Sequence, residues 1–131
     1  MLKFHHLGCL VDSIEEAAEN YKGLFAMQSI SEKILIASQQ VYVCFVQIGE
    51  GQFIELVEPV GEDSVVSRLK RKGETYYHAG YLGHDFDKAL EQLEEKSFKL
   101  LSVFYSEAFN MRRCAFLYST DIHLIELIEE E

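Results

Sequence analysis

The chain has 131 residues, 48% of them hydrophobic, and carries a net charge of −10 from 12 basic and 22 acidic side chains. Such a length and apolar content fit one folded globular domain and exclude a disordered segment. A negative field of this size repels phosphate backbones, and no uncharged apolar run is long enough to cross a bilayer, so neither nucleic acid nor membrane is an expected partner.

Met1-Leu2-Lys3-Phe4-His5-His6 is too polar for an export signal, so the cytoplasm is the expected compartment. Residues 4–12 read as a strand, with His6, Gly8 and Leu10 on one face and Leu7, Cys9 and Val11 on the other. Ser13 with Glu16 three residues later is a capping box. It opens a helix whose apolar stripe is Ile14, Ala17, Ala18 and Tyr21 and which Gly23 closes. Strands follow over residues 28–36, 41–48 and 52–57, the last two joined by the turn Gly49-Glu50-Gly51. Pro59 ends this half, and a short helix with Val65, Val66 and Leu69 connects it to the next. Lys70-Arg71-Lys72 on that helix reads as solvated surface. Residues 77–82 then form a strand, Asp85 caps a helix with Phe86, Ala89, Leu90 and Leu93, and strands follow over 98–104, 112–118 and 122–128. Cys9, Cys44 and Cys114 sit in apolar runs at spacings that match no zinc pattern, so they read as small buried hydrophobes in a reducing compartment.

The second half repeats the first. His6 and His78, Gly8 and Gly80, and Leu10 and Leu82 are each 72 residues apart, and the two helical stripes keep the same interval. Phe45 and Phe116, and Glu55 and Glu126, are 71 apart. One slipped residue is what a duplicated module with one loop deletion gives. The expected fold is therefore α+β: two βαβββ modules, about residues 1–59 and 74–131, joined by a connector helix at about 60–73. Their strands combine into one curved eight-stranded mixed sheet, with the helices on its convex face, in a single domain.

Phe53-Ile54-Glu55-Leu56-Val57-Glu58 reappears as Leu124-Ile125-Glu126-Leu127-Ile128-Glu129. Each copy is an apolar strand with a carboxylate in its middle, and an unpaired buried carboxylate is very costly. Each module supplies one histidine in its first strand and one glutamate in its last. Modules related by a pseudo-twofold axis would bring His6, Glu55, His78 and Glu126 together on the concave face. Two imidazoles and two carboxylates suit Zn, Co, Ni, Mn or Fe(II) rather than Ca, and leave two positions of an octahedral ion open. The plainer reading is that a strand histidine is hydrogen-bonded in the core and a strand glutamate faces water; recurrence in register weighs against it. By parity His5, His123, Glu58 and Glu129 fall on the opposite faces, and Glu58 and Glu129 read as solvated. His84 lies at a helix start and reads as surface.

The ordered set His6-Leu7-Gly8, Ile54-Glu55-Leu56-Val57-Glu58-Pro59, Tyr77-His78-Ala79-Gly80 and Leu124-Ile125-Glu126-Leu127 resembles the vicinal oxygen chelate superfamily. That group holds glyoxalase I, methylmalonyl-CoA epimerase, extradiol dioxygenases and bleomycin-resistance proteins. Gly61-Glu62-Asp63-Ser64, Lys72-Gly73 and Arg113-Cys114-Ala115-Phe116-Leu117 make the chain most similar to the epimerases. The resemblance implies a divalent metal cofactor on His6, Glu55, His78 and Glu126, with Glu126 as catalytic base. It implies a metal-dependent epimerase or isomerase moving a proton α to the carbonyl of an acyl thioester. Tyr81, Arg112 and Arg113 would contact the small-molecule substrate, and the protein would be a homodimer. Three departures stand out. Glu55 occupies a position that is often Gln in epimerases, as it is Glu in glyoxalase I; the second base of an epimerase would fall near Val43; and Ser106-Glu107-Ala108-Phe109-Asn110-Met111 replaces a glycine-rich loop. A glyoxalase I-type lyase and a metal-free small-molecule binding or resistance protein are the alternative readings.

Overall fold

The computed structural model describes residues 1–131. Its elements run β1 (Lys3–Leu10), α1 (Ile14–Leu24), β2 (Ser29–Ile30), β3 (Ile34–Ile36), β4 (Val41–Gly49), β5 (Gln52–Pro59), α2 (Val65–Arg71), β6 (Tyr76–Gly83), α3 (Phe86–Glu95), β7 (Lys99–Ser106), β8 (Arg112–Ser119) and β9 (His123–Glu129). The strands form a mixed sheet with three helices, the α+β class expected. β1 runs parallel to β5 and β6 parallel to β9, while the hairpin neighbours are antiparallel. There are nine strands, not eight, because the strand expected over 28–36 is two pieces. β2 and β3 both pair with β4; between them the Ser31 amide still donates to the Phe45 carbonyl at 2.9 Å, and the chain then leaves the ladder. Ser31 explains the break: its hydroxyl accepts the Phe45 amide at 2.8 Å, so a side chain does the work of a ladder carbonyl.

The chain divides into two compact units, residues 6–77, and residues 78–131 with residues 1–5. In the first, Ile14, Cys44, Val46 and Leu56 form the core between α1 and the strands. α1 begins as its capping residues dictate, with the Ser13 hydroxyl accepting from the Glu16 amide at 3.2 Å. Glu58, expected in solvent, instead accepts the Ile14 amide at 2.9 Å and lies 3.5 Å from Lys33, which also reaches Glu15. A carboxylate there is favoured because the first amides of a helix are unsatisfied and positive. Glu58 thus ties α1 to the end of β5.

In the second unit Phe86, Ala89, Ala115, Leu117, Ile125 and Leu127 form the core beneath α3. Gly83 comes so close to this core that a Cβ there would lie 2.9 Å from Leu127 Cδ1. Glu129, also expected in solvent, lies 3.0 Å from Arg113, whose guanidinium clasps Asp87 of α3 at 3.0 and 3.3 Å and sits 4.5 Å from the centre of the Phe86 ring. Asp87 and then Glu129 hold the Arg113 pKa above its ordinary value, and Arg113 in turn lowers that of Glu129. Glu58 and Glu129 are 71 residues apart. The repeat therefore includes a second carboxylate per module, each fastening a helix to the last strand of its unit.

Candidate metal centre

In the first unit, the β1–β5 register sets Gly8 opposite Glu55, and the β4–β5 register sets Phe45 on its other side. His6 lies two residues before Gly8 on the same face of β1, diagonal to Glu55. His6 Nε2 lies 3.4 Å from Glu55 Oε1. The imidazole meets the Phe45 ring edge to face at 5.7 Å, and Phe45 meets Phe53 in the same manner at 6.0 Å. His6 is 0% exposed and Glu55 3%.

The second unit repeats these relations. Gly80 is opposite Glu126 from β6 and Phe116 is opposite it from β8. His78 Nε2 lies 3.2 Å from Glu126 Oε1, and the ring packs against Phe116 at 5.2 Å. Phe116 stacks on Phe104 at 5.4 Å. His78 and Glu126 are 5% and 4% exposed.

A neutral imidazole nitrogen and a carboxylate oxygen both present lone pairs. At these separations the facing Nε2 either carries a hydrogen that it donates to the carboxylate or shares a metal ion with it. Burial adds a need for positive charge, since a buried carboxylate without a compensating charge is strongly destabilising. Taken as a donor set, the four buried side chains offer two nitrogens and two oxygens and could hold a metal ion. Borderline divalent ions take that mixture, so the residues present fit the group. Cys9 does not join them. It follows Gly8 in β1 and so points to the other face, and burial, then the charge of Glu55, raises its pKa and keeps it a thiol.

The expected substrate contacts lie elsewhere in part. Tyr81 pairs with Leu127, packs against the core beneath α3 and touches Phe4 at 5.9 Å, so it faces away from Glu126. Arg113 is held in the Asp87–Glu129 clasp on that same helix side. The placement of these two residues does not support a substrate contact. Arg112 shares the Glu126 face by parity, and its guanidinium donates to the carbonyls of Phe109 and Glu129, each at 3.0 Å. His5 packs on Phe109 at 5.4 Å. Sequence reasoning assigned no role to Phe45 and Phe116. Their interval of 71 was the available signal, but an aromatic in a strand is ordinarily core.

Two duplicated βαβββ units, each burying a histidine against a glutamate, define a class. The pattern of the Glyoxalase/Bleomycin resistance protein/Dioxygenase superfamily matches residues 5–116. The chain belongs to that superfamily. No curated protein sequence matches it. Among solved structures it is similar to a hypothetical protein from Bacillus halodurans C-125, with 24% identity and a TM-score of 0.86 over 99% of this chain and 95% of that one. It is also similar to methylmalonyl-CoA epimerase from Mycobacterium tuberculosis, with 22% identity and a TM-score of 0.85 over 98% and 88%. A variant of the Streptomyces coelicolor methylmalonyl-CoA epimerase, in complex with 2-nitronate-propionyl-CoA, gives 22% identity and 0.84 over 99% of both chains. At these identities the likeness shows the fold.

Proposed function

We propose that the protein is a metal-dependent enzyme that moves a proton α to the carbonyl of an acyl thioester, an epimerase- or isomerase-type reaction. The observation that carries this reading is the repeated buried pair, His6 with Glu55 and His78 with Glu126, at 3.4 and 3.2 Å. The acyl-CoA compound bound to the Streptomyces epimerase supports the substrate class. The four side chains would together hold one divalent ion, of the Zn, Co, Ni, Mn or Fe(II) kind. When bound, that ion would supply positive charge to stabilise the negative charge that develops on a carbonyl oxygen as the α-proton leaves.

The remaining work falls to the chain's own groups. Glu126 takes the α-proton on a carboxylate oxygen and returns it, as a positioned general base. Phe116 and Phe104 beside it, and Phe45 and Phe53 beside Glu55, line the two pairs with rings that keep water away. The reading further makes the protein a cytoplasmic homodimer acting on a small molecule.

One feature favours a second reading. Epimerisation needs proton donors or acceptors on both sides of the α-carbon, and the expected second base falls near Val43. On β4 the face shared with Glu55 presents Val41, Val43 and Phe45, all buried and none titratable. A reaction with one base, such as the glyoxalase I-type lyase on a hemithioacetal, needs no second carboxylate.

The test is a set of three measurements on the purified protein. Metal content is measured as isolated and after loading with Co, Ni, Zn or Mn. Deuterium uptake and inversion are followed with methylmalonyl-CoA in deuterated water, and lyase activity with glutathione and methylglyoxal. Exchange with inversion supports the epimerase. Lyase activity, or exchange without inversion, supports the one-base reaction. A protein that takes up no metal overturns both in favour of a binding protein.

A further inference from the structure

Across the second unit one row of partners runs from β6 to β7: Gly80, Glu126, Phe116 and Ser102. Directly opposed residues share a face of the sheet, as do residues two apart on one strand, so Ser102 stands on the face of Glu126, beyond the Phe116 ring. Phe104, two residues further along β7, stacks on Phe116 on the same side. The next partners on that face are Tyr118 of β8 and Lys99 of β7. Exposure rises along this path: Glu126 and Phe116 are buried, Ser102 is half-buried, Tyr118 is 42% exposed and Lys99 is exposed. Strands about 4.8 Å apart, with a rise of about 3.4 Å per residue, put the Lys99 Cα roughly 12 Å from that of Glu126.

The first unit has Gln28, Ser31 and Gln47 at the positions of Lys99, Ser102 and Tyr118, each 71 residues earlier. All three are neutral, and the first unit's own strands use them. Ser31 Oγ accepts the Phe45 amide and donates to the Glu32 carbonyl at 2.9 Å. Gln47 Oε1 accepts from Ser29 at 3.0 Å, and its Nε2 donates to the Gly49 carbonyl at 3.2 Å. The Gln28 amide donates to the Gln47 carbonyl at 2.8 Å. In the second unit β7 is unbroken, so its ladder makes no use of the Ser102 hydroxyl, and Lys99 faces Tyr118 rather than an acid. In a chain with a net charge of −10, a lysine on this face is a local exception that attracts an anion. We propose that this strip holds the phosphate-bearing arm of the substrate, with Ser102 and Tyr118 bonding polar groups of the arm and Lys99 bonding a phosphate. The reacting carbon then lies at buried Glu126 and the charged end at the exposed rim. Ligands repeated in two units do not by themselves select one orientation of a substrate; a lysine present in only one unit does. The inference rests on the acyl-thioester reading above.

Calorimetric titration of the metal-loaded protein with propionyl-CoA and with propionyl-pantetheine, which lacks the phosphates, tests the proposal. The wild type is expected to bind the CoA thioester about 5- to 10-fold more tightly at low salt, and high salt removes that preference. Lys99→Ala loses the preference and binds propionyl-pantetheine as the wild type does. Lys99 is exposed, so the change leaves the core intact. Ser102→Ala weakens both thioesters. Lys22→Ala, which removes the same charge from α1 of the first unit, changes neither affinity. In deuterium exchange, Lys99→Ala raises KM for the CoA thioester, and a loss confined to kcat overturns the assignment. A Lys99→Ala variant that keeps the CoA preference also overturns it, as does an equal loss in Lys22→Ala or a Ser102→Ala variant unchanged toward both thioesters. A wild type that binds the two thioesters equally overturns this proposal alone. A wild type that binds neither overturns the acyl-thioester reading and this proposal with it.

Discussion

In the first unit the strand after α1 is two short pieces, β2 and β3, with Ser31, Glu32 and Lys33 between them; in the second, the corresponding β7 runs unbroken from Lys99 to Ser106. The broken edge is managed by polar groups. Ser31 replaces a ladder carbonyl, and Lys33 turns to Glu15 and Glu58 at the start of α1. The continuous edge carries Leu101, Val103 and Tyr105 instead. Between the same two units, His6 matches His78, Glu55 matches Glu126, Leu56 matches Leu127 and Glu58 matches Glu129. A duplicated chain keeps the residues whose partners lie inside its own unit or at the shared chemistry. It is free to differ where a strand meets solvent, because there the physical demand is set by what lies outside.

The matched carboxylates give the largest expected effect. If Glu126 moves the proton and Glu55 only helps to hold the ion, Glu126→Gln lowers α-proton exchange by about 100- to 10,000-fold, the usual range for a lost general base. Glu55→Gln keeps an amide oxygen that can still ligate, so it lowers metal affinity first and leaves measurable exchange at saturating metal. Deuterium incorporation with excess ion separates the two. Equal losses in both variants would mean that the units share the chemistry symmetrically.

The matched leucines come next. Leu56 and Leu127 are 1% and 0% exposed, each in the core between its unit's strands and helix. Truncation to alanine removes buried methyl groups and leaves a cavity, which costs about 2–5 kcal/mol in such cores. Urea unfolding of Leu56→Ala and Leu127→Ala should therefore show losses of similar size. A loss below about 1 kcal/mol at either site would show that its helix face is not the tightly packed interior that the repeat implies.

Most of the fold was legible because the repeat reinforced each local signal. Ser13 and Asp85 announced their helices, and the 72-residue interval aligned strands that are ambiguous alone. A carboxylate inside an apolar strand demands a partner, which marked Glu55 and Glu126; that His6 lies against Glu55 and His78 against Glu126 came from the structure. The split at Ser31 was not legible, because it rests on a side chain bonding across the sheet. Glu58 and Glu129 were read as merely solvated, without the helix-side partners they have, for a related reason. Strand parity assigns a face, and the face away from the candidate centre holds a helix rather than water. Tyr81 and Arg113, expected as substrate contacts, also lie on that helix side.

The two helix-fastening carboxylates give the smallest effects and separate two kinds of bond. Glu58 meets a backbone amide at the start of α1, so Glu58→Gln keeps a weaker acceptor there but loses the charge. About 1 kcal/mol is expected from the helix-terminus interaction, with little dependence on partners other than Lys33. Glu129 meets Arg113, and its exposure makes the pair weaker and open to salt. Its folded pKa lies below the ordinary value of 4.5 because Arg113 favours the charged form. The sign follows from linkage: the contribution is fully present above the unfolded pKa and is lost as pH falls through the depressed folded value. The stability difference between wild type and Glu129→Gln should thus be constant from about pH 7 down to the carboxylate range and shrink below it. High salt should reduce it at neutral pH. Thermal unfolding across that pH range measures it, and a difference that persists unchanged in acid would mean that the glutamine disturbs packing around Arg113 rather than removing a charge.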